Sequence, residues 1–136
     1  MTALGLVVAE FYESVAEEMS AHGRDAATAA EARVVEEVRV PGTYDAPLAA
    51  DRLARREDVD AVAVLGAIVT GDTDHDQVIG HAIADRLAGI ALDRDTPVTF
   101  GVTGPGMSGA EARERVEKGA DAVSAAIRLA EELPEP

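Results

Sequence analysis

Ala61-Val62-Ala63-Val64-Leu65 is an unbroken apolar run with the length and valine content of a buried strand, and a strand without polar side chains must be covered on both faces. It leads into Gly66-Ala67-Ile68-Val69-Thr70-Gly71-Asp72-Thr73-Asp74-His75-Asp76-Gln77-Val78, where a helical pattern opens near Asp76. The stretch therefore reads as a strand-to-helix junction, with Asp74 and Gln77 spaced as N-cap and N3 of a capping box. A helix start carries unpaired N–H groups and a partial positive charge. Glycine-lined backbone placed there suits a phosphate, and His75 beside it suits proton transfer.

The rest of the chain repeats this strand, turn and helix order. Leu4 to Ala9 reads as a short buried strand, followed by the turn Phe11-Tyr12-Glu13-Ser14 and a helix to about Gly23 with Val15 and Met19 inward. His22, beside Gly23, is expected as a C-terminal cation favoured by the helix dipole. Ala32, Val34, Val38 and Val40 alternate with charge, the pattern of a half-buried edge strand. After Pro41-Gly42, Asp45 is placed to cap a helix with Pro47 in its first turn and a stripe of Leu48, Ala49, Leu53 and Ala54. The helix after the central junction carries Val78, Ile79, Ala82, Ile83, Leu87 and Ile90, a stripe wider than one sheet contact needs, which predicts packing on another subunit. Val98 to Thr103 reads as a fourth strand ended by Gly104-Pro105-Gly106. Ser108 and Glu111 form a second capping box, opening one long helix through Val116, Ala120, Val123, Ile127 and Ala130. Four strands alternating with four helices predict a single α/β domain over residues 1–136, a three-layer sandwich whose four-stranded parallel sheet has helices on both faces.

Ligands of such sheets bind at the carboxyl ends of the strands, and the irregular, glycine- or aromatic-bearing stretches of this chain all fall there. Charge narrows the ligand. The 136 residues carry a formal charge of −14, with Lys118 the sole lysine against 26 acids, so a nucleic-acid partner is excluded for want of a basic patch. The bias is that of a halophilic surface, tuned to a salty cytosol. The first ten residues lack the basic start of a secretory signal and no apolar run reaches membrane-spanning length, so a cytoplasmic protein is expected. Without cysteine, thiolate chemistry is excluded.

Few residues are left to carry chemistry. Phe11, Tyr12 and Tyr44 fall in strand-end turns, placed either to stack on a flat heterocycle or to plug the end of the sheet. His75 is the general acid/base candidate, since imidazole is the side chain suited to moving protons near neutral pH, or alternatively a helix-start residue bonded to Asp72 or Asp76. Asp72, Asp74, His75 and Asp76 offer hard ligands to a divalent cation, but consecutive residues entering a helix diverge, and no metal is expected. His81 reads as a surface residue. Arg115 and Lys118, three apart on the last helix, share a face suited to an anion, although Glu111 and Glu114 are spaced to pair with them.

Spacing alone stops at an enzyme or binding module for a phosphorylated, partly aromatic ligand. Val8-Ala9-Glu10-Phe11, Val40-Pro41-Gly42-Thr43-Tyr44-Asp45-Ala46-Pro47, Leu65 through His75 and Pro97-Val98-Thr99-Phe100-Gly101-Val102 together resemble the 6,7-dimethyl-8-ribityllumazine synthase family over nearly the whole chain. Gly104-Pro105-Gly106-Met107 and the short link from Arg115 to Lys118-Gly119 are similar to its archaeal branch. The resemblance implies a flavodoxin-like fold and a cofactor-free condensation of 5-amino-6-(D-ribitylamino)uracil with 3,4-dihydroxy-2-butanone 4-phosphate. It implies that Phe11 stacks on the pyrimidine, that Thr43, Tyr44 and Asp45 meet the ribityl chain, and that Ala67, Ile68 and Val69 contact the pyrimidine through backbone. Gly71, Asp72 and Thr73 would bind phosphate and His75 transfer protons. Phe100, Arg115 and Lys118 match residues that the family contributes from a neighbouring subunit, so the site implied is that of a homo-oligomer, a pentamer or a larger shell of pentamers. Tyr12 departs from the family's usual Asn, and Asp45 from the Glu of bacterial members.

Two rivals share the fold. A non-enzymatic flavin or lumazine carrier, or a shell scaffold, needs neither His75 nor Arg115. The archaeal riboflavin synthase, which disproportionates two lumazines, lacks the Gly-Asp-Thr-Asp-His turn of residues 71–75.

Overall fold

In the computed structural model, which describes residues 1–71 and 74–136, the chain alternates strand and helix as its hydrophobic pattern dictates. The elements are β1 (Ala3–Ala9), α1 (Glu13–Ala29), β2 (Arg33–Val40), a 3₁₀ turn (Thr43–Asp45), α2 (Ala46–Ala54), β3 (Ala61–Val69), α3 (His75–Arg94), β4 (Val98–Met107), α4 (Gly109–Glu114) and α5 (Lys118–Glu132). All strand pairs are parallel, in the order β2-β1-β3-β4, a three-layer flavodoxin-like α/β arrangement. The central strands β1 and β3 are apolar along their length and buried. On one face, Leu4, Leu6, Ala63 and Leu65 meet Val15 and Met19 of α1 and Val123 and Ile127 of α5. On the other, Val7, Val62 and Val64 meet Leu53 of α2 and Ile83 and Leu87 of α3. The alternating β2 is an edge strand, as its pattern predicts.

Several boundaries differ from expectation, each because packing overrides a local signal. Helix α1 continues to Ala29 and does not stop at Gly23. A Cβ on Gly23 would lie 3.0 Å from Val123 Cγ2, so this glycine admits α5 and does not end a helix, and His22 is an exposed mid-helix residue. Strand β3 runs on from Leu65 to Val69 because β4 also continues, through Gly104-Pro105-Gly106, and pairs Val69 with Met107. The glycines thus form an irregularity inside a strand. Ser108 and Glu111 do form the capping box, each bond 3.2 Å, but the long last helix is two. At the junction Arg115 N donates to Ala112 O, Lys118 N to Arg115 O and Gly119 N to Val116 O, short-range bonds that tighten the turn and redirect the chain.

Two stripes are also revised. Leu48 is 60% exposed while Ala46 and Ala50 are buried on α2, and on α3 Val78 is 65% exposed while Ile83, Leu87 and Ile90 are buried. The surplus apolar positions of α3 therefore face outward. Neither expected aspartate cap forms: Asp45 accepts at Oδ2 from Gly42 N (3.0 Å), and Asp74 stands at the N-cap of α3 without a side-chain cap bond.

At the edge, Glu37 of β2 accepts from Ser20 Oγ (2.8 Å) and Arg24 Nε (2.9 Å) of α1 and from Arg39. Burial alone would raise its carboxyl pKa, but these three donors together hold it below the ordinary value. The anchoring of β2 to α1 is therefore in place at neutral pH and weakens as acid protonates Glu37.

Candidate functional site

The turns at the carboxyl ends of β1, β2 and β3 converge on a cleft of about 310 Å³. After β1, Glu10 N donates to Val40 O (2.9 Å), which draws the ends of β1 and β2 together and pushes the next two side chains outward. Phe11 is 74% exposed and meets Tyr12 edge to face, with ring centroids 5.0 Å apart. After β2, Thr43 is buried and Tyr44 is 72% exposed. The bond from Gly42 N to Asp45 Oδ2 fixes the turn that carries them.

The floor is Ala67, Ile68 and Val69 of β3. Gly66 beneath it has no room for a side chain, since a Cβ would stand 2.9 Å from Ala9 Cβ and 3.0 Å from Thr43 Cγ2. That close approach seats the β2 turn against β3. Gly71, in the segment after β3, and His75, Asp76 and Ile79 of α3 close the cleft. His75 is the first residue of α3 and its side chain is exposed. Asp76 turns inward, and its Oδ2 accepts from Gly106 N of β4 at 3.1 Å. An apolar floor flanked by two exposed aromatic rings, with a histidine at a helix start, can hold a flat heterocycle and move protons at its edge.

Of the residues singled out from the sequence, Phe11, Tyr12, Thr43, Tyr44, Ala67, Ile68, Val69, Gly71 and His75 line this cleft. Asp72 and Thr73 lie outside the described residues. Asp45 supports the wall rather than lining it. Phe100 lies apart, half-buried on β4 against the α2/α3 side of the core. Arg115 and Lys118 line a separate recess of about 270 Å³ with Thr103, Gly104, Glu117 and Asp121. They do not share a helix face as expected, because Arg115 ends α4 and Lys118 begins α5. Arg115 reaches Glu111 at 3.5 Å, whereas the expected Glu114–Lys118 pair is not formed.

Gly42, Asp76 and Ile79 also line the cleft. Ile79 was accessible from its position one helical turn after His75. Asp76 was not, because an acid in a first turn usually serves the helix dipole from the surface. A larger cavity of about 780 Å³ lies at the opposite end of the sheet, walled by the two chain termini. It is at the amino ends of the strands, away from the glycine turns and the histidine.

Comparison with known proteins points to one activity. The family model described as 6,7-dimethyl-8-ribityllumazine synthase matches residues 2–133. The chain is 71% identical over 133 residues to the 6,7-dimethyl-8-ribityllumazine synthase of Halorubrum lacusprofundi, covering 98% of this chain and 99% of the relative. Against the protein of the same name from Halobacterium salinarum it is 69% identical over 133 residues, covering 98% and 100%. The Methanocaldococcus jannaschii protein of that name is 40% identical over 133 residues, covering 98% and 94%.

Proposed function

The chain belongs to the 6,7-dimethyl-8-ribityllumazine synthase family, and from that premise we propose that the cleft at the ends of β1, β2 and β3 is where it joins its two substrates. The reaction condenses 5-amino-6-(D-ribitylamino)uracil with 3,4-dihydroxy-2-butanone 4-phosphate to 6,7-dimethyl-8-ribityllumazine, releasing phosphate and water. The observation that carries the siting is the pair of exposed rings, Phe11 and Tyr44, flanking an apolar floor that ends at His75.

Phe11 stacks on the pyrimidine, and the backbone of Ala67, Ile68 and Val69 fixes its edge. Thr43 and Tyr44 meet the ribityl hydroxyls, on a turn held by Asp45. Gly71, with Asp72 and Thr73, takes the phosphate at the start of α3. The pyrimidine's amine attacks the ketone carbonyl and expels its oxygen as water to give a Schiff base, phosphate leaves, and ring closure expels a second water. His75 moves the protons these steps require. Holding the two reactants together supplies much of the acceleration.

Phe100, Arg115 and Lys118 act in the cleft of a neighbouring copy, since all three lie outside the cleft of their own chain. The working unit is then a homo-oligomer, a pentamer or a shell of pentamers, with the outward apolar positions of α3 in its contacts. The whole of residues 1–136 acts as one domain, in the cytoplasm.

Mixing the two substrates with the protein should yield lumazine fluorescence, and no product above the uncatalysed rate would overturn the assignment. Riboflavin formed from lumazine alone would favour the rival synthase. His75→Ala should slow turnover about a hundredfold without abolishing it. Complete loss of activity in an intact oligomer would contradict that division of labour.

The charge of −14 should make stability depend on salt. Screening contracts from ~10 Å at 0.1 M to ~3 Å at 1 M, which relieves self-repulsion. The melting temperature and the oligomer mass by light scattering should both rise over this range, and a melting temperature that stays flat would refute a salt-adapted surface.

A further inference from the structure

We infer that Asp76 is a positioning residue for the condensation: its carboxylate, bonded to Gly106 N–H, sets the rotational phase of α3 so that His75 faces the cleft. Among the described residues it is the one buried charged side chain, 7% exposed. An acid in a first helical turn needs no burial to interact with the helix dipole, and burial removes water from a carboxylate. Its inward turn therefore serves a contact. That contact is the 3.1 Å bond from Gly106 N to Oδ2, between α3 and the irregular part of β4.

The geometry around it leaves little slack. A Cβ on Gly80, one turn further along α3, would stand 2.8 Å from Pro105 Cδ, so the second turn of the helix rests directly on the same irregular segment. That segment is itself tied to the cleft, because Thr70 N donates to Met107 O at 2.8 Å. Consecutive helical side chains diverge by roughly 100°. With Asp76 pinned toward β4, His75 is turned to the cleft, which both residues line. Release of the pin frees the first turn of α3 to rotate, and with it the imidazole.

The inference rests on the role given to His75, so the experiment separates the two. Steady-state kinetics would be measured on Asp76→Ala, Asp76→Asn, His75→Ala and the double variant Asp76→Ala/His75→Ala. Asp76→Ala should lower kcat about tenfold with both KM values within about threefold, since a displaced catalytic group costs rate more than binding. Asp76→Asn keeps an oxygen that accepts from Gly106 N–H, so it should retain most of the activity and slow amide exchange at Gly106. In the His75→Ala background, Asp76→Ala should cost nothing further.

Full additivity in the double variant, or unchanged kcat in Asp76→Ala, overturns the inference alone. Wild-type kcat in His75→Ala overturns the role of His75 and the inference with it. Should Asp76→Ala fail to assemble, Asp76→Asn still decides: a tenfold loss of kcat with the Gly106 amide protected sinks the proposal.

Discussion

Replacing Arg115 with alanine should raise KM for the phosphorylated ketone by about 10- to 100-fold and leave KM for the pyrimidine within about threefold. The range corresponds to the roughly 1.5–3 kcal/mol of a hydrogen bond to a charged group. Arg115 has donors to spare. Its guanidinium side chain is 54% exposed, and its contacts are Glu111 at 3.5 Å and Met107 Sδ at 3.6 Å, neither of which consumes the planar fork. A phosphate must also approach a protein of charge −14, so a local cation matters more here than in a neutral protein. Arg115→Lys should fall between wild type and alanine, because a single ammonium replaces a bidentate donor. Light scattering on each variant separates lost phosphate binding from lost assembly. Equal rises in both KM values in an intact oligomer would remove Arg115 from the phosphate site.

The prominence of Arg115 in the sequence and its distance from its own chain's cleft show where sequence patterns stop. The layering and the edge place of β2 were legible because β1 and β3 are apolar throughout and must be covered on both faces, while β2 alternates as an edge does. The aromatic turns were legible for a related reason, since Phe11 and Tyr44 stand where no core pattern calls for them. Packing decided what the pattern could not. Gly23 looks like a helix terminator but is the point where α1 admits α5, and Gly66 looks like a turn residue but is where β3 admits Ala9 and Thr43. A glycine's letter is the same whether it bends the chain or makes room for a neighbour. The break between α4 and α5 has no glycine or proline at Arg115 to Glu117 to announce it. It comes from the docking of α5 on α1, where Gly119 lies so near Met19 O that a Cβ would be 2.3 Å away. Asp76 was hidden for yet another reason, because its partner is a backbone amide 30 residues away.

Gly104→Ala should be the most damaging small substitution among the described residues, lowering stability by about 2–6 kcal/mol. Two costs combine. Gly104 has φ +90°, a conformation costing a residue with a side chain about 1–3 kcal/mol, and the new Cβ would stand 2.1 Å from Ile68 O, adding about 1–3 kcal/mol of overpacking. A flexible side chain could swing aside, but a carbonyl inside β3 cannot. The register explains why the two strands come so close here: Ala67 pairs with Thr103 and Val69 with Met107, so four residues of β4 advance against two of β3. The excess loops over Ile68, whose other side is the cleft floor. Thermal melting at fixed protein and salt concentration should show a fall of about 10 °C. Gly71→Ala is the control, because a Cβ there meets nothing within 4 Å, and it should melt near wild type. The variant that does fold should also lose activity beyond its loss of stability, since displacing β4 moves Gly106 away from Asp76 and Ile68 away from the substrate. If Gly104→Ala melts with the control, β4 relaxes at this point more freely than its pairing with β3 implies, and the rigid support assigned to the cleft floor is wrong.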